Sequence, residues 1–182
     1  RANCHARITC DGALHRESTG EIQFTEFGLS GPVIYEISRD ACQGGGDWEC
    51  ILDFLPDVSY DALLSMLTRR RDTKLTAEDL FTGILHNRLG RVLTKAAGIK
   101  GKQYVSQISN AELQEVVTCV KNLEIDLTEP LGMDSAQVTA GGVLTSGFDP
   151  NTMESKLVPG LYACGEVLDI DALTGGFNLQ IA

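Results

Sequence analysis

No G-x-G-x-x-G run joins a strand to a helix anywhere in the sequence; its densest glycines, Gly44, Gly45 and Gly46, precede a Trp-containing strand pattern instead. The chain therefore lacks the usual turn for a dinucleotide pyrophosphate. Its six cysteines, Cys4, Cys10, Cys42, Cys50, Cys119 and Cys164, make no C-x-x-C pair and have no histidine at ligand spacing, so no metal is expected. No apolar run approaches the roughly 20 residues that span a bilayer, and Arg1 to Thr9 has no signal-peptide core. The expectation is a cytoplasmic protein, away from membranes, whose cysteines are mostly buried thiols. Basic residues are also scarce: 15 Lys and Arg against 25 Asp and Glu give a net charge of -10. That balance weighs against nucleic acid or an anionic membrane, because phosphate binding rests on clustered Lys and Arg. The expected partners are a small-molecule substrate or protein. Arg69, Arg70 and Arg71 form the one dense basic run; at the end of an expected helix they complement its dipole as a solvated face, with a nicotinamide-dinucleotide phosphate site as the alternative.

What the chain does have is 43% hydrophobic residues over 182 positions, enough to fill the core of one medium domain or two small ones. Ala6 to Asp11 and Gly20 to Thr25 read as strands, with Asp11-Gly12 and Thr19-Gly20 as turn signals, so the opening is expected to be a small antiparallel sheet or barrel. Phe27 to Pro32 leads into Val33, Ile34 and Ile37 at helical spacing, with Pro32 in the first turn and Ser30 as a candidate cap. This loop is either a tight connector or a device placing a helix start near a ligand. Trp48 to Phe54 reads as a strand. Ser59 to Arg71, a segment capped by Thr76-Ala-Glu-Asp and running through Leu85, Leu89 to Ala97, and Asn110 to Val120 read as helices. His86 in that section reads as structural. Leu123 to Leu127 returns to strand, and Pro130-Leu131-Gly132 is a natural boundary.

Beyond it, Gln137 to Thr139 reads as a strand, and Ala140, Gly141, Gly142 and Val143 would let backbone approach a flat ligand, or simply form a glycine bulge. A strand over Leu161 to Cys164 would stop at Gly165 and place the Glu166 carboxylate just past its end, where ligands bind in open α/β sheets. The turn at Thr174, Gly175 and Gly176 leads into Phe177, Asn178 and Leu179, the expected start of a helix whose free N–H groups could face an electron-rich ligand edge. Asp169 and Asp171 read as an acidic surface turn.

The blocks VTAGGV, MESK, GLYACGEVLD and TGGFNLQ, with GEIQFTEFGLSGPVIYEISR at Gly20 to Arg39, resemble the BaiN/YhiN-like group of NAD(P)/FAD-dependent oxidoreductases. The resemblance implies an α+β organisation. Residues 1-131 would be an inserted domain, a small antiparallel β-barrel or sheet (strands within about 1-55 and 122-129) carrying a helical bundle (about 58-121). Residues 132-182 would be an incomplete, Rossmann-like α/β portion of the FAD-binding domain. It further implies flavin contact at Ala140, Gly141, Gly142, Val143, Gly165, Glu166, Gly175, Gly176, Phe177, Asn178 and Leu179. Glu166 would accept a hydrogen bond from a ribityl hydroxyl. With Arg1 at one end and an interrupted helix pattern at the other, the chain reads as a piece of a longer protein.

Two functions follow as expectations. In the first, the intact parent is an FAD-dependent oxidoreductase reduced by NAD(P)H and acting on an organic acceptor, the piece alone being inactive; no catalytic residue is assigned. In the second, the chain is a non-catalytic binding module in which the flavin-like blocks are structural. An apolar Leu161 to Cys164 strand without sheet partners would also favour self-association.

Overall fold

Alternation of side chains builds the sheet. In β1 (Ala2–Cys10), Cys4, Ala6 and Ile8 point inward, and in β4 (Trp48–Asp53) Cys50 and Leu52 do the same. The period of two puts these residues on one face. In the computed structural model, which describes residues 1–136, 140–170, 172 and 180 (the backbone alone at Gln43), five antiparallel strands lie in the order β3-β2-β1-β4-β5. β2 is Ala13–Phe24, β3 is Leu29–Ser30 and β5 is Leu123–Leu127.

The hairpin between β1 and β2 closes at Cys10 and Ala13, leaving Asp11 (φ 50) and Gly12 (φ 77) as its two-residue turn. Both left-handed conformations belong to the hairpin geometry that favours Asp-Gly. Thr19 and Gly20, in contrast, are not a turn: they lie inside β2, opposite His5 and Cys4. A Cβ on Gly20 would stand 3.0 Å from Val33, so the glycine admits the short helix α1 (Pro32–Ile37) against the strand. Pro32 does begin α1, but its cap is Gly31 with no side-chain bond, and the Ser30 hydroxyl instead meets the Tyr35 hydroxyl at 3.0 Å.

Of the three longer helices, α4 (Asn110–Lys121) packs against β4 and β5, while α2 (Tyr60–Arg69) and α3 (Asn87–Ala96) pack on α4. Ser59 caps α2 by accepting from the Ala62 N–H. Ser109 and Glu112 form a reciprocal capping box on α4. The helix expected from Thr76 is a single 3-10 turn, Ala77–Asp79. There the Ala77 and Glu78 N–H groups, which a helix start leaves free, donate to the Gln103 and Gly101 carbonyls and tie this turn to the loop after α3. α3 then packs closely on this segment, since a Cβ at Gly90 would lie 2.7 Å from that of Phe81.

The result is one core, in which Ile8, Ile22 and Leu52 of the sheet join Leu63, Phe81, Leu93 and Leu113 of the helical section. Each such side chain contributes roughly 1.5–3 kcal/mol relative to exposure. β4 and β5 pair antiparallel (Leu52 opposite Leu123), although residues 54–122 intervene between them. Lys121 holds the two ends of that excursion together: its ammonium sits 2.6 Å from the Asp53 carboxylate and donates to the Leu55 and Val58 carbonyls at 2.7 Å. No helix among the described residues is long and apolar enough to cross a membrane.

Candidate functional site

Two glycine-bearing segments meet after the sheet. The Val143 N–H donates to the Val167 carbonyl and the Asp169 N–H donates to the Val143 carbonyl, both at 2.9 Å, which makes a one-residue parallel pairing with Leu168. Gly142 makes this approach possible. A Cβ there would fall 2.6 Å from the Leu168 carbonyl carbon, so the close backbone approach by itself requires this glycine. Gly141 differs: it has φ 97, is exposed, and nothing stands within 4 Å of where its Cβ would be. Ala140 is exposed beside it.

Gly165 (φ 73) is buried and starts the 3-10 turn Gly165–Val167, which carries Glu166 outward into solvent. Among the described residues the Glu166 side chain has no ion pair or hydrogen bond. Leu168 anchors the turn at 3% exposure. Asp169 is exposed, as a surface turn requires. The expected strand at Gln137 to Thr139, Asp171, and the sites at Gly175, Gly176, Phe177, Asn178 and Leu179 lie outside the described residues.

Leu161 to Cys164 does not form the expected strand. Its pairing is a single antiparallel bridge from Tyr162 to Glu154, and Leu161 and Tyr162 remain exposed. With no neighbouring ladder among the described residues, the apolar pattern has no sheet to enter. The hairpin-like approach from Met153 is present: Ser155 donates to the Leu161 carbonyl at 2.8 Å, and the Glu154 carboxylate accepts from the Gly160 N–H at 2.7 Å. Asp149 sets up this hairpin, accepting from the Asn151 and Thr152 N–H groups, which hold its carboxyl below the usual range. An Asp-Pro-Asn run was its sequence signal.

The arginine run proves to be built into the fold. Arg70 donates to the Leu80 and Thr82 carbonyls, and Arg71 to the Ile108 carbonyl and Asn110 side chain. These bonds tie the end of α2 to two loops, so Arg70 and Arg71 are not a solvated face. The cysteines also divide: Cys4 and Cys50 are buried, whereas Cys42 and Cys164 are exposed. Burial pushes the Cys4 thiol up to about 11 and the Cys50 thiol to about 12, with Asp53 and Cys4 respectively adding to the effect. A cleft of about 460 Å³ opens by Asn3, Cys4, Gly20, Phe54 and Pro56, apart from the residues singled out in the sequence. Among the described residues no group of three His, Cys, Asp or Glu side chains could hold a metal.

What the paired segments can do chemically is specific but partial. Glu166 can accept hydrogen bonds from neutral hydroxyls, and Gly141 offers bare backbone to a flat ligand. Catalytic nucleophiles and acid–base pairs do not converge there among the described residues.

An antiparallel half-barrel covered by a helical section, with clasped glycine segments following it, defines an α+β domain of barrel-and-helix type. Residues 3–138 match the family described as HI0933-like protein barrel and H2TH domain, and the chain belongs to that family. It is similar, at 33% identity over 171 residues, to a 3-dehydro-bile acid delta(4,6)-reductase of Clostridium scindens, a match covering 91% of this chain and 42% of the relative. It is also 30% identical to ribosomal RNA dihydrouridine synthases of Escherichia coli (94% of this chain, 41% of the relative) and Haemophilus influenzae (96% and 42%). The chain thus spans about two-fifths of the length of these curated relatives.

Proposed function

We propose that this chain belongs to an FAD-dependent reductase in which NAD(P)H supplies the reducing equivalents and a conjugated carbon–carbon double bond accepts them. The names of the relatives support this shared chemistry: a delta(4,6)-reductase and a dihydrouridine synthase both add two hydrogens across such a bond. The observation that carries the reading is the backbone pairing of Val143 with Val167 and Asp169, which brings the AGGV and GEVLD segments together.

The residues present fit a flavin. Gly141 has open space on its side-chain position, and Glu166 is an exposed carboxylate with no partner among the described residues. In this reading Glu166 holds a ribityl hydroxyl and the exposed Ala140 and Gly141 present backbone to the ring system, while Gly142, Val143 and Gly165 line the flavin from the paired backbone beneath them. Gly175, Gly176, Phe177, Asn178 and Leu179 complete the contact set. A bound flavin would supply the hydride chemistry, and the chain's part is to orient it.

The test is an absorbance spectrum of the intact protein between about 350 and 500 nm, where a bound flavin absorbs, followed by anaerobic NADH or NADPH. Flavin bands that bleach support the reading, and Glu166→Ala should then weaken flavin retention. A colourless protein that takes up no added FAD would leave the alternative, a non-catalytic binding module, in the lead.

A further inference from the structure

The cleft beside the start of β1 is used neither by the paired glycine segments nor by the core. Its volume is about 460 Å³, and no residue from 131 onward lines it. Small molecules bind in clefts of roughly 300–1,000 Å³ whose walls are mostly apolar. Cys4 and Phe54, both sealed from solvent on their other sides, form the floor, and Leu55, Pro56 and Val58 form one wall. That wall is fixed in place. The Phe54 N–H donates to the Val120 carbonyl, the Leu55 N–H to the Asp53 carboxylate and the Val58 N–H to the Leu55 carbonyl. Phe24, with its ring centroid 6.2 Å from that of Phe54, carries the aromatic surface out towards solvent.

The rim is polar and carries charge of one sign. Asn3 and Asp57 are exposed there, and among the described residues neither side chain makes an ion pair or hydrogen bond. Thr19, also on the rim, meets Nδ1 of His5 at 2.9 Å, and the Glu17 carboxylate stands 3.4 Å from Nε2 of that ring. The carboxylate favours the ring proton on Nε2, so Nδ1 accepts from the Thr19 hydroxyl and the Thr19 oxygen keeps its lone pairs for a further donor. No Lys, Arg or His lines the cleft. Lys121, the cation that touches its wall, is already engaged by Asp53 and by the Leu55 and Val58 carbonyls. Burial keeps the Cys4 thiol neutral up to about 11, so the floor adds no charge.

We propose that this cleft binds a small organic ammonium ion, with an aromatic body of one or two rings on Phe54 and the cation at Asp57 and Thr19. An ammonium has three donors and no acceptor, which matches a free carboxylate and a hydroxyl oxygen. A nearby aromatic face also attracts a cation. An anionic ligand of the same body would meet Asp57 with no lining cation to offset it, and a neutral one would gain only the floor and wall. The site goes beyond the reductase chemistry and does not rest on it, because the flavin-like blocks contribute none of its lining.

The experiment is isothermal titration of the intact protein at neutral pH with tryptamine, tryptophol and indole-3-propionate, which carry an amine, an alcohol and an acid on one indole body. Tryptamine should bind roughly ten-fold more tightly than tryptophol, because a charge-assisted hydrogen bond is about twice as strong as a neutral one, and indole-3-propionate should bind most weakly. Asp57→Asn should abolish the preference for the amine and leave tryptophol binding as it was. Asn3→Trp, which places a large side chain at the mouth, should weaken amine and alcohol alike. Both residues are exposed, so an unchanged unfolding midpoint separates these losses from misfolding. Failure to bind tryptamine, equal affinity for the three compounds, a preference that survives Asp57→Asn, or binding indifferent to Asn3→Trp would each overturn the proposal.

Discussion

Residues 2–127 and residues 131–168 treat their apolar side chains in opposite ways. In the first region Ile8, Leu52, Leu67, Phe81, Leu93 and Leu113 are sealed in one core. In the second, Met133, Leu144, Leu157, Val158, Leu161 and Tyr162 are largely exposed, and among the described residues Phe148 and Leu168 are the large side chains taken inside. The second region is nevertheless specified, by backbone pairings at Val143 and Tyr162 and by the turn that Asp149 holds. Apolar content alone does not make a core; the elements must also present it to one another.

The comparison can be broken by substitution. Leu113→Ala, in the centre of the core, should cost about 2–5 kcal/mol in chemical denaturation; a loss below about 1 kcal/mol would show that α4 is not packed as described. A pH series probes the same region through its thiols. Unfolded cysteines ionise near 9, while Cys4 and Cys50 stay neutral in the fold to about 11 and 12. Their contribution is therefore complete below the lower value and is lost as pH rises from about 9 to about 12. Replacing both by alanine should flatten the alkaline fall in the urea midpoint.

In the second region the effects should be local. Gly142→Ala forces backbone apart, so amide exchange at Val143 and Asp169 should quicken while the core amides of α4 keep their protection. Smallest of all, Leu157→Ser, at an 85% exposed position, should move the unfolding free energy by no more than about 0.5 kcal/mol. A larger loss would mean that Leu157 belongs to a packed surface, and the contrast between the regions would fail.

The parts legible in the sequence were those fixed by local chemistry. Asp11-Gly12 specified its hairpin turn, Ser59 its cap, and Leu123 to Leu127 its strand, since each signal acts within a few residues. Where distant partners decide, the reading failed. Gly20 looked like a turn because α1 is what requires it, and Thr76 looked like a helix start because residues 101–105 are what pair with that stretch. Arg70 and Arg71 looked solvated because their carbonyl acceptors come from other loops. At the candidate site the sequence singled out Gly142, Val143 and Gly165, which the structure brings into one clasp, but it misassigned Leu161 to Cys164, whose apolar pattern resembles that of a paired strand.

The juxtaposition of Asp53 and Lys121 has a bearing on how such a domain can be remodelled. β4 and β5 are neighbours that an ordinary hairpin could join, and the whole helical section occupies the place of its loop. Because closure entropy rises only by about 0.6 kcal/mol for each doubling of loop length, the sheet can carry so long an excursion at small cost, and the Lys121 ammonium fastens its base. Chain closure therefore sets no tight limit on the length of the helical section; what holds it in place is the core it shares with the strands, so its outer face is the part free to vary while the strands keep their register.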